Sequence, residues 1–250
     1  MTKIIITGAN GKMGKVVKSV IDGRDDCKIV AGVDIYGDSA DFPVYRSISD
    51  VKENADVVID FSNPSLLDEL LAYGKENKTA LIIATTGYDE EQKKKIEQAS
   101  KDSAIFFTYN MSLGINLLAN LAKKATEVLG SSFDIEIIEK HHNQKIDAPS
   151  GTALMLADAI CEVTSEPMKY EYDRHSKREK RTANEIGLHS VRGGTIVGEH
   201  EIIFAGRDEI ITLSHSARSK EIFAVGAVNA AVFMKGKDAG LYDMSKLIGD

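Results

Sequence analysis

The sequence predicts an α/β protein with an N-terminal Rossmann-type parallel-sheet domain and a second α+β domain built on a mixed sheet. Three observations lead to this prediction. A β-branched run near the N-terminus passes directly into a glycine-rich turn and an amphipathic helix. Apolar strands and helices then alternate up to about residue 112, as in a parallel sheet covered by helices. Beyond that point the strands carry alternating polar residues, which is typical of antiparallel pairing.

Length and charge limit the class of protein. The chain has 250 residues, 43% of them hydrophobic and 28% charged, which suits one large or two modest globular domains. Its net charge of -7 argues against a nucleic-acid binder, since such domains are normally basic. No signal-peptide pattern precedes the first strand, and no apolar run is long enough to span a membrane. Two cysteines without ligand-type spacing, Cys27 and Cys161, predict reduced thiols, no metal site and a cytoplasmic protein.

The first element is a strand over residues 3–7, followed by three glycines spaced three residues apart and beginning at Gly8. Such glycines let the backbone approach a pyrophosphate, and the helix that follows presents N–H donors at its N-terminus. The next strand, over residues 28–33, ends at Asp34. That carboxylate follows the glycines by roughly 20 residues, where an acid is expected to bind ribose hydroxyls. We therefore predict a dinucleotide site on this domain.

Strands and helices keep alternating through the rest of the first domain. We predict strands over residues 55–61, 79–84 and 104–107, and helices over residues 63–71 and 89–100. Ligands of open α/β sheets lie beyond the carboxyl ends of the strands. Ala84, Thr85, Thr86 and the turn over residues 108–111 are therefore expected to border the cofactor. For the threonines the alternative, that they are ordinary turn residues, remains open.

The second domain has a different pattern. Its elements are predicted to be a helix, a strand, a helix and three strands, over residues 112–129, 134–140, 150–160, 186–191, 196–204 and 209–213. Because glycine turns separate the last three strands, we expect them to be antiparallel neighbours. A helix over residues 223–233, rich in small side chains, is expected to pack back on the first domain, and a short helix over residues 241–248 follows. The predicted domains are residues 1–112 with 218–250, and residues 113–217.

Ionisable chemistry is concentrated between the strand ending near residue 140 and the helix beginning at Ser150. Two adjacent histidines, His141 and His142, and Lys145 lie there, and Ser150 or Thr152 is suited to cap the helix. A histidine titrates near neutral pH and can act as a general acid, while the lysine and the helix terminus favour a carboxylate-bearing substrate. The alternative is a solvated polar loop. The other histidines are predicted to be structural: His175, His189, His200 and His215.

The run from Glu139 to Ala153 resembles the signature of the 4-hydroxy-tetrahydrodipicolinate reductase family, of the diaminopimelate route to lysine. Matching stretches extend over nearly the whole chain, at residues 8–14, 60–62, 85–87, 110–112, 197–200 and 240–244. The resemblance implies hydride transfer from NADH or NADPH, bound on the first domain, to a small cyclic dicarboxylate, 4-hydroxy-tetrahydrodipicolinate, bound on the second. It also implies a homotetramer built through the second domain's sheet.

The resemblance implies roles for individual residues. His141 matches the family's proton donor, and Lys145 its second proton-donating or substrate-polarising residue. His142 and the backbone of Gly151 and Thr152 match the contacts to the substrate carboxylates. Cofactor contacts are implied at Gly8, Ala9, Asn10, Gly11, Lys12, Met13, Asp34, Ala84, Thr85, Thr86, Thr108, Tyr109, Asn110 and Met111.

Two positions depart from the family pattern. Ala84 stands where the family has the glycine of a Gly-Thr-Thr-Gly turn. Ile35 stands where some relatives have an arginine that can receive a 2′-phosphate, which leaves Lys12 as the nearest matching cation. We therefore expect NADH to be favoured and NADPH still to be used.

Two other functions remain open from the sequence. A dinucleotide-sensing or scaffold protein would need the first domain but has no use for two histidines and a lysine beside an anion-binding turn. A dehydrogenase of another small acid would use both domains. Substrate-dependent oxidation of NADH distinguishes the three.

Overall fold

The structure, a computed structural model, describes residues 1–36 and 41–249. The chain forms two compact units, Met1–Ser112 with the segment from Glu221 onwards, and Leu113–Lys220. Its helices and strands, in chain order, are β1 (Thr2–Thr7), α1 (Lys12–Asp22), β2 (Cys27–Val33), β3 (Val44–Tyr45), β4 (Val57–Asp60), α2 (Leu67–Asn77), β5 (Ala80–Ile83), α3 (Glu90–Ala99), β6 (Ala104–Phe107), α4 (Leu113–Leu129), β7 (Asp134–His141), α5 (Gly151–Cys161), β8 (Lys169–Glu171), β9 (Glu185–Arg192), β10 (Gly198–Ala205), β11 (Ile210–Ala217), α6 (Glu221–Met234), β12 (Gly240–Tyr242) and α7 (Met244–Ile248).

The first unit is built on a seven-stranded parallel sheet in the order β12-β6-β5-β4-β1-β2-β3. Every residue of β4 and β5 is buried, which accounts for the apolar runs over residues 57–59 and 80–83, because a parallel sheet is covered on both faces. The Rossmann-type fold predicted from the sequence is confirmed. The prediction missed the edge strands β3 and β12, which are only two and three residues long.

Helix α6 completes this first unit. It packs against α1 and against strands β1, β4, β5 and β6. Small residues permit the close approach: a Cβ on Gly226 would overlap the carbonyl of Met111. Helix α6 therefore lies within the first unit. The short helix predicted over residues 241–248 starts late, since Leu241 lies in β12 and Asp243 caps α7 by accepting a hydrogen bond from Lys246 N.

The second unit contains a mixed five-stranded sheet in the order β11-β10-β7-β9-β8. The expectation that the last three long strands are neighbours is correct for β10 and β11 but wrong for β9, because β7 lies between β9 and β10. The glycine turn after β9 looks like a hairpin in the sequence. It instead crosses the end of β7, where Gly193 N–H donates to the carbonyl of His141 at 2.9 Å. The chain therefore re-enters the sheet on the far side of β7.

One face of this mixed sheet is the core of the second unit. Ile137 of β7 and Phe204 of β10 pack with buried residues of α4 and α5. The same face continues along β7 to Glu139 and His141, both buried, because side chains two residues apart in a strand share a face. The apolar core thus gives way to ionisable groups near the end of β7. No helix in the described residues is long and apolar enough to cross a membrane.

Candidate active site

The glycine turn of the first unit leaves room for a ligand close to the backbone. Gly8 has φ +72°, and a Cβ there would overlap the carbonyl of Phe61; a Cβ on Gly14 would overlap that of Gly8. Gly11 is the N-cap of α1 and has no side chain of its own to cap this terminus. The first N–H groups of α1, at Lys12 and Met13, form the kind of terminus that binds phosphate. The turn therefore fits a dinucleotide.

Asp34 directly follows β2, and its carboxylate is held from two sides. Oδ2 accepts from Asn10 N–H and Oδ1 accepts from Tyr36 N–H, each at 2.9 Å. Each oxygen keeps a lone pair for a ribose hydroxyl. The Asn10 side chain donates to the carbonyl of Tyr36, which ties the glycine turn to the segment after β2. Ile35 is 64% exposed beside this carboxylate.

The segments after β5 and β6 contain the other predicted cofactor residues. Thr85 is buried and its hydroxyl accepts from Ser62 N–H at 2.9 Å, which is the bond of a structural turn residue, whereas Thr86 is exposed. Ala84 and Thr108 are partly buried and Tyr109 is 73% exposed. Asn110 and Met111 are buried, and Asn110 Oδ1 accepts from Ser112 N–H.

In the second unit the predicted site is organised around Glu139, whose exposure is 0%. Both its oxygens accept from the Arg192 guanidinium, at 2.6 and 2.7 Å. Oε1 also accepts from Ser150 N–H at 3.1 Å, and Oε2 lies 2.6 Å from Nδ1 of His141. Burial alone raises the pKa of this carboxyl, but hydrogen bonds from Arg192, His141 and Ser190 outweigh it and lower the pKa to about 2. Sequence reasoning did not single out Glu139 or Arg192.

Ser150 caps α5. The sequence had left Ser150 and Thr152 as alternatives for this cap. Its hydroxyl accepts from Ala153 N–H at 3.1 Å. Gly151 and Thr152 form the first turn of the helix, and a Cβ on Gly151 would meet no atom within 4 Å. The terminus is therefore open, with backbone donors suited to a carboxylate.

Lys145 and His142 lie in the loop between β7 and α5. Lys145 N–H donates to the carbonyl of His142, and its ammonium pairs with Asp147 at 2.8 Å. The Lys145 hydrogen bond lowers the pKa of Asp147. Arg192 also donates to the Asp147 carbonyl at 2.6 Å, so one guanidinium holds both Glu139 and this loop.

The structure adds His200, which the sequence prediction left out. Its Nε2 lies 3.0 Å from the Ser150 hydroxyl, and its ring meets that of His141 edge-on, with centroids 5.3 Å apart. Burial, and then the neighbouring His141, lower the pKa of His200 to about 4, so its ring is neutral at pH 7. The sequence signal for His200 was its position in residues 197–200, one of the stretches that match the family. His189 instead pairs with Glu136 at 2.7 Å.

The seven-stranded parallel sheet and its glycine turn define a dinucleotide-binding fold of the Rossmann type. The family model for the dihydrodipicolinate reductase N-terminus matches residues 2–111, and the model for its C-terminus matches residues 114–248. The chain belongs to the dihydrodipicolinate reductase family, as its sequence signature predicted.

Individual proteins agree with this family. The chain is 54% identical to a 4-hydroxy-tetrahydrodipicolinate reductase of Caldanaerobacter subterraneus subsp. tengcongensis, covering 99% of this chain and 98% of the relative. It is 49% identical to the enzyme of that name from Clostridium novyi, with the same coverage of both chains. A dipicolinate-bound dihydrodipicolinate reductase from Paenisporosarcina sp. TG-14 has a similar structure, with a TM-score of 0.82, 25% identity and 99% coverage of both chains.

Proposed function

We propose that this protein reduces 4-hydroxy-tetrahydrodipicolinate to tetrahydrodipicolinate with NAD(P)H, in the diaminopimelate route to lysine. One observation within the structure carries the proposal: Glu139 holds His141 and the N-terminus of α5 at the same carboxylate. A proton donor and an anion-binding terminus are therefore fixed to each other. The identity of the proposed substrate comes from membership of the family, which extends over nearly the whole chain.

The substrate hydroxyl leaves as water together with a hydrogen from the neighbouring ring carbon, and the unsaturated ring that results takes up a hydride and a proton. A dihydronicotinamide cofactor held by the glycine turn and Asp34 of the first unit would supply the hydride. His141 supplies the proton that neutralises the charge developing on the ring, a role suited to a histidine at the edge of a buried network. His200, kept neutral by burial, adds no second positive charge beside it.

The substrate carboxylates are bound by the loop and by the helix terminus. The N–H groups of Gly151 and Thr152 receive one carboxylate, assisted by the positive end of α5. Lys145 and His142 receive the other. Lys145 pairs with Asp147, whose side chain is exposed, and a substrate carboxylate would compete for the same ammonium.

For the cofactor, the proposed contacts are the predicted residues of the first unit, with NADH favoured. Backbone donors fix both oxygens of Asp34, so the carboxylate cannot turn away from a 2′-phosphate. Ile35 offers no charge to compensate, and Lys12 is the one cation in the glycine turn.

The proposed assembly is a cytoplasmic homotetramer built through the mixed sheet of the second unit. The outer face of that sheet carries exposed apolar side chains, with Val191 45% and Ile210 68% exposed. Contact with another copy across this face would bury both side chains, and burial of apolar surface stabilises association. Sedimentation equilibrium of the purified protein tests this, and a monomer at micromolar concentration contradicts it.

A coupled assay tests the function. Aspartate semialdehyde and pyruvate are condensed enzymatically, and NADH oxidation is followed after adding the protein. We expect oxidation that depends on the condensation product. Oxidation with another small acid but not with this product would identify a different dehydrogenase, and binding of NADH without oxidation by either would identify a non-enzymatic dinucleotide-binding protein.

A further inference from the structure

We propose that Glu139 is a positioning residue that fixes the tautomer of His141, so that Nδ1 carries the ring hydrogen of the neutral histidine and Nε2 is the nitrogen that exchanges a proton with the substrate. The assignment of Nε2 as the nitrogen that exchanges a proton rests on the proposed function, whereas the assignment of the tautomer does not. The starting observation is the 2.6 Å separation between Nδ1 and Glu139 Oε2.

The carboxylate can only accept in this contact. Glu139 is fully buried, yet it receives two hydrogen bonds from Arg192 and one from Ser150 N–H. These donors keep it ionised, consistent with its pKa of about 2. An ionised carboxylate has no hydrogen to give, so the hydrogen between Oε2 and Nδ1 belongs to the imidazole.

The other ring nitrogen is left for the substrate. Nε2 of His141 has no hydrogen-bond partner within the described part of the chain. The ring that packs beside it, His200, uses its own Nε2 for the Ser150 hydroxyl and meets His141 only by its edge. Glu139 is therefore the group that can set the hydrogen position on His141.

The protein contains an internal comparison on the opposite face of the same sheet. Glu136 also binds an arginine and a histidine, with Arg181 Nε at 3.0 Å and His189 at 2.7 Å. There the contact is made through Nε2 rather than Nδ1 of the histidine. The same reasoning thus gives the two histidines opposite tautomers.

Nitrogen-15 NMR of histidine-labelled, ligand-free protein tests the proposal. Spectra are recorded at alkaline pH, where imidazoles are neutral, and the His141 signals are assigned by their loss in His141→Asn. We expect hydrogen on Nδ1 of His141 and on Nε2 of His189. Hydrogen on Nε2 of His141 in the wild-type protein overturns the proposal without any variant of Glu139.

Two variants extend the test. Glu139→Gln should remove the Nδ1–H preference of His141 and lower kcat by about 100-fold, with a smaller change in KM, because the donor loses its alignment. Glu136→Gln, the matched control, should alter the His189 signals and leave those of His141 unchanged. A His141 tautomer unaffected by Glu139→Gln in a folded protein would also refute the role.

The results of these experiments test the tautomer assignment and the proposed function independently. If His141→Ala keeps normal turnover while wild-type His141 carries hydrogen on Nδ1, the tautomer assignment stands and the proton-donor role fails. If His141→Ala is inactive while hydrogen lies on Nε2, the donor role stands and the assignment to Glu139 fails.

Discussion

Gly198 makes room for His141: a Cβ at this glycine would lie 3.1 Å from Nε2 of the histidine ring. That distance is shorter than ordinary van der Waals contact. We therefore predict that Gly198→Ala displaces the ring by a few tenths of an ångström and lowers kcat by about 10- to 100-fold. Steady-state kinetics measure the change. Gly194→Ala is an unsuitable control because Gly194 has a positive φ. A Cβ at Gly193 would meet no atom within 4 Å, so the Gly193→Ala variant should retain wild-type turnover.

Replacement of His141 tests the proton donor directly. His141→Ala or His141→Gln should lower kcat by about two to four orders of magnitude, the usual contribution of a positioned general acid. NADH binding, measured by fluorescence titration, should be nearly unchanged, since the predicted cofactor contacts lie in the other unit. Near-normal turnover in folded His141→Ala would show that another group supplies the proton.

Lys145→Ala should weaken substrate binding more than cofactor binding, because the cation facing a carboxylate is lost. The measurement is the dissociation constant of pyridine-2,6-dicarboxylate, by calorimetry. Lys124→Ala is the matched control, as Lys124 also pairs with a carboxylate, Glu127, at 3.1 Å on α4. Equal affinity in wild type and Lys145→Ala would make the assignment of Lys145 wrong.

Cofactor preference depends on Asp34 and Ile35. The carboxylate repels a 2′-phosphate, and an exposed pair between that phosphate and Lys12 offsets the repulsion by about 1 kcal/mol or less. We predict a higher kcat/KM for NADH than for NADPH. Ile35→Arg should improve NADPH more than NADH, because a guanidinium binds phosphate through two donors. A wild type that strongly favours NADPH, or an unchanged ratio in the variant at fixed ionic strength, would contradict this reasoning.

Glu139 should make the stability of the protein sensitive to acid. Its folded-state pKa of about 2 lies below the ordinary value of 4.5 for a glutamate, so its contribution is fully present above about pH 5 and is lost as pH falls towards 2. The shift corresponds to about 3 kcal/mol of stability. Urea unfolding of wild type and Glu139→Gln should differ most near neutral pH and converge in acid. Asp102→Asn, which breaks an exposed pair with Lys75, should have little effect at any pH.

Much of the first unit could be predicted because its signals are local. The apolar runs of β4 and β5 and the glycines after β1 each specify their element without reference to distant residues. Edge strands such as β12 could not be predicted, because three residues have no detectable period and depend on pairing with β6.

The candidate site could be predicted from the sequence only in part, for a similar reason. His141, Lys145 and the Ser150 cap lie within one stretch of sequence, where their spacing is visible. Arg192 and His200 come to Glu139 and Ser150 only through the order of strands in the mixed sheet. That order was mistaken at β9, since a glycine turn that crosses another strand has the same sequence pattern as a hairpin turn.

The late position of α6 in the chain has a consequence for synthesis on the ribosome. The strands β1, β4 and β5, which this helix covers, emerge long before Glu221 is translated. Until then one face of their apolar surface lacks its native cover, and a nascent chain must shield it from other chains by transient contacts or by chaperones. Premature termination before Glu221 would therefore yield an aggregation-prone fragment rather than a free nucleotide-binding domain.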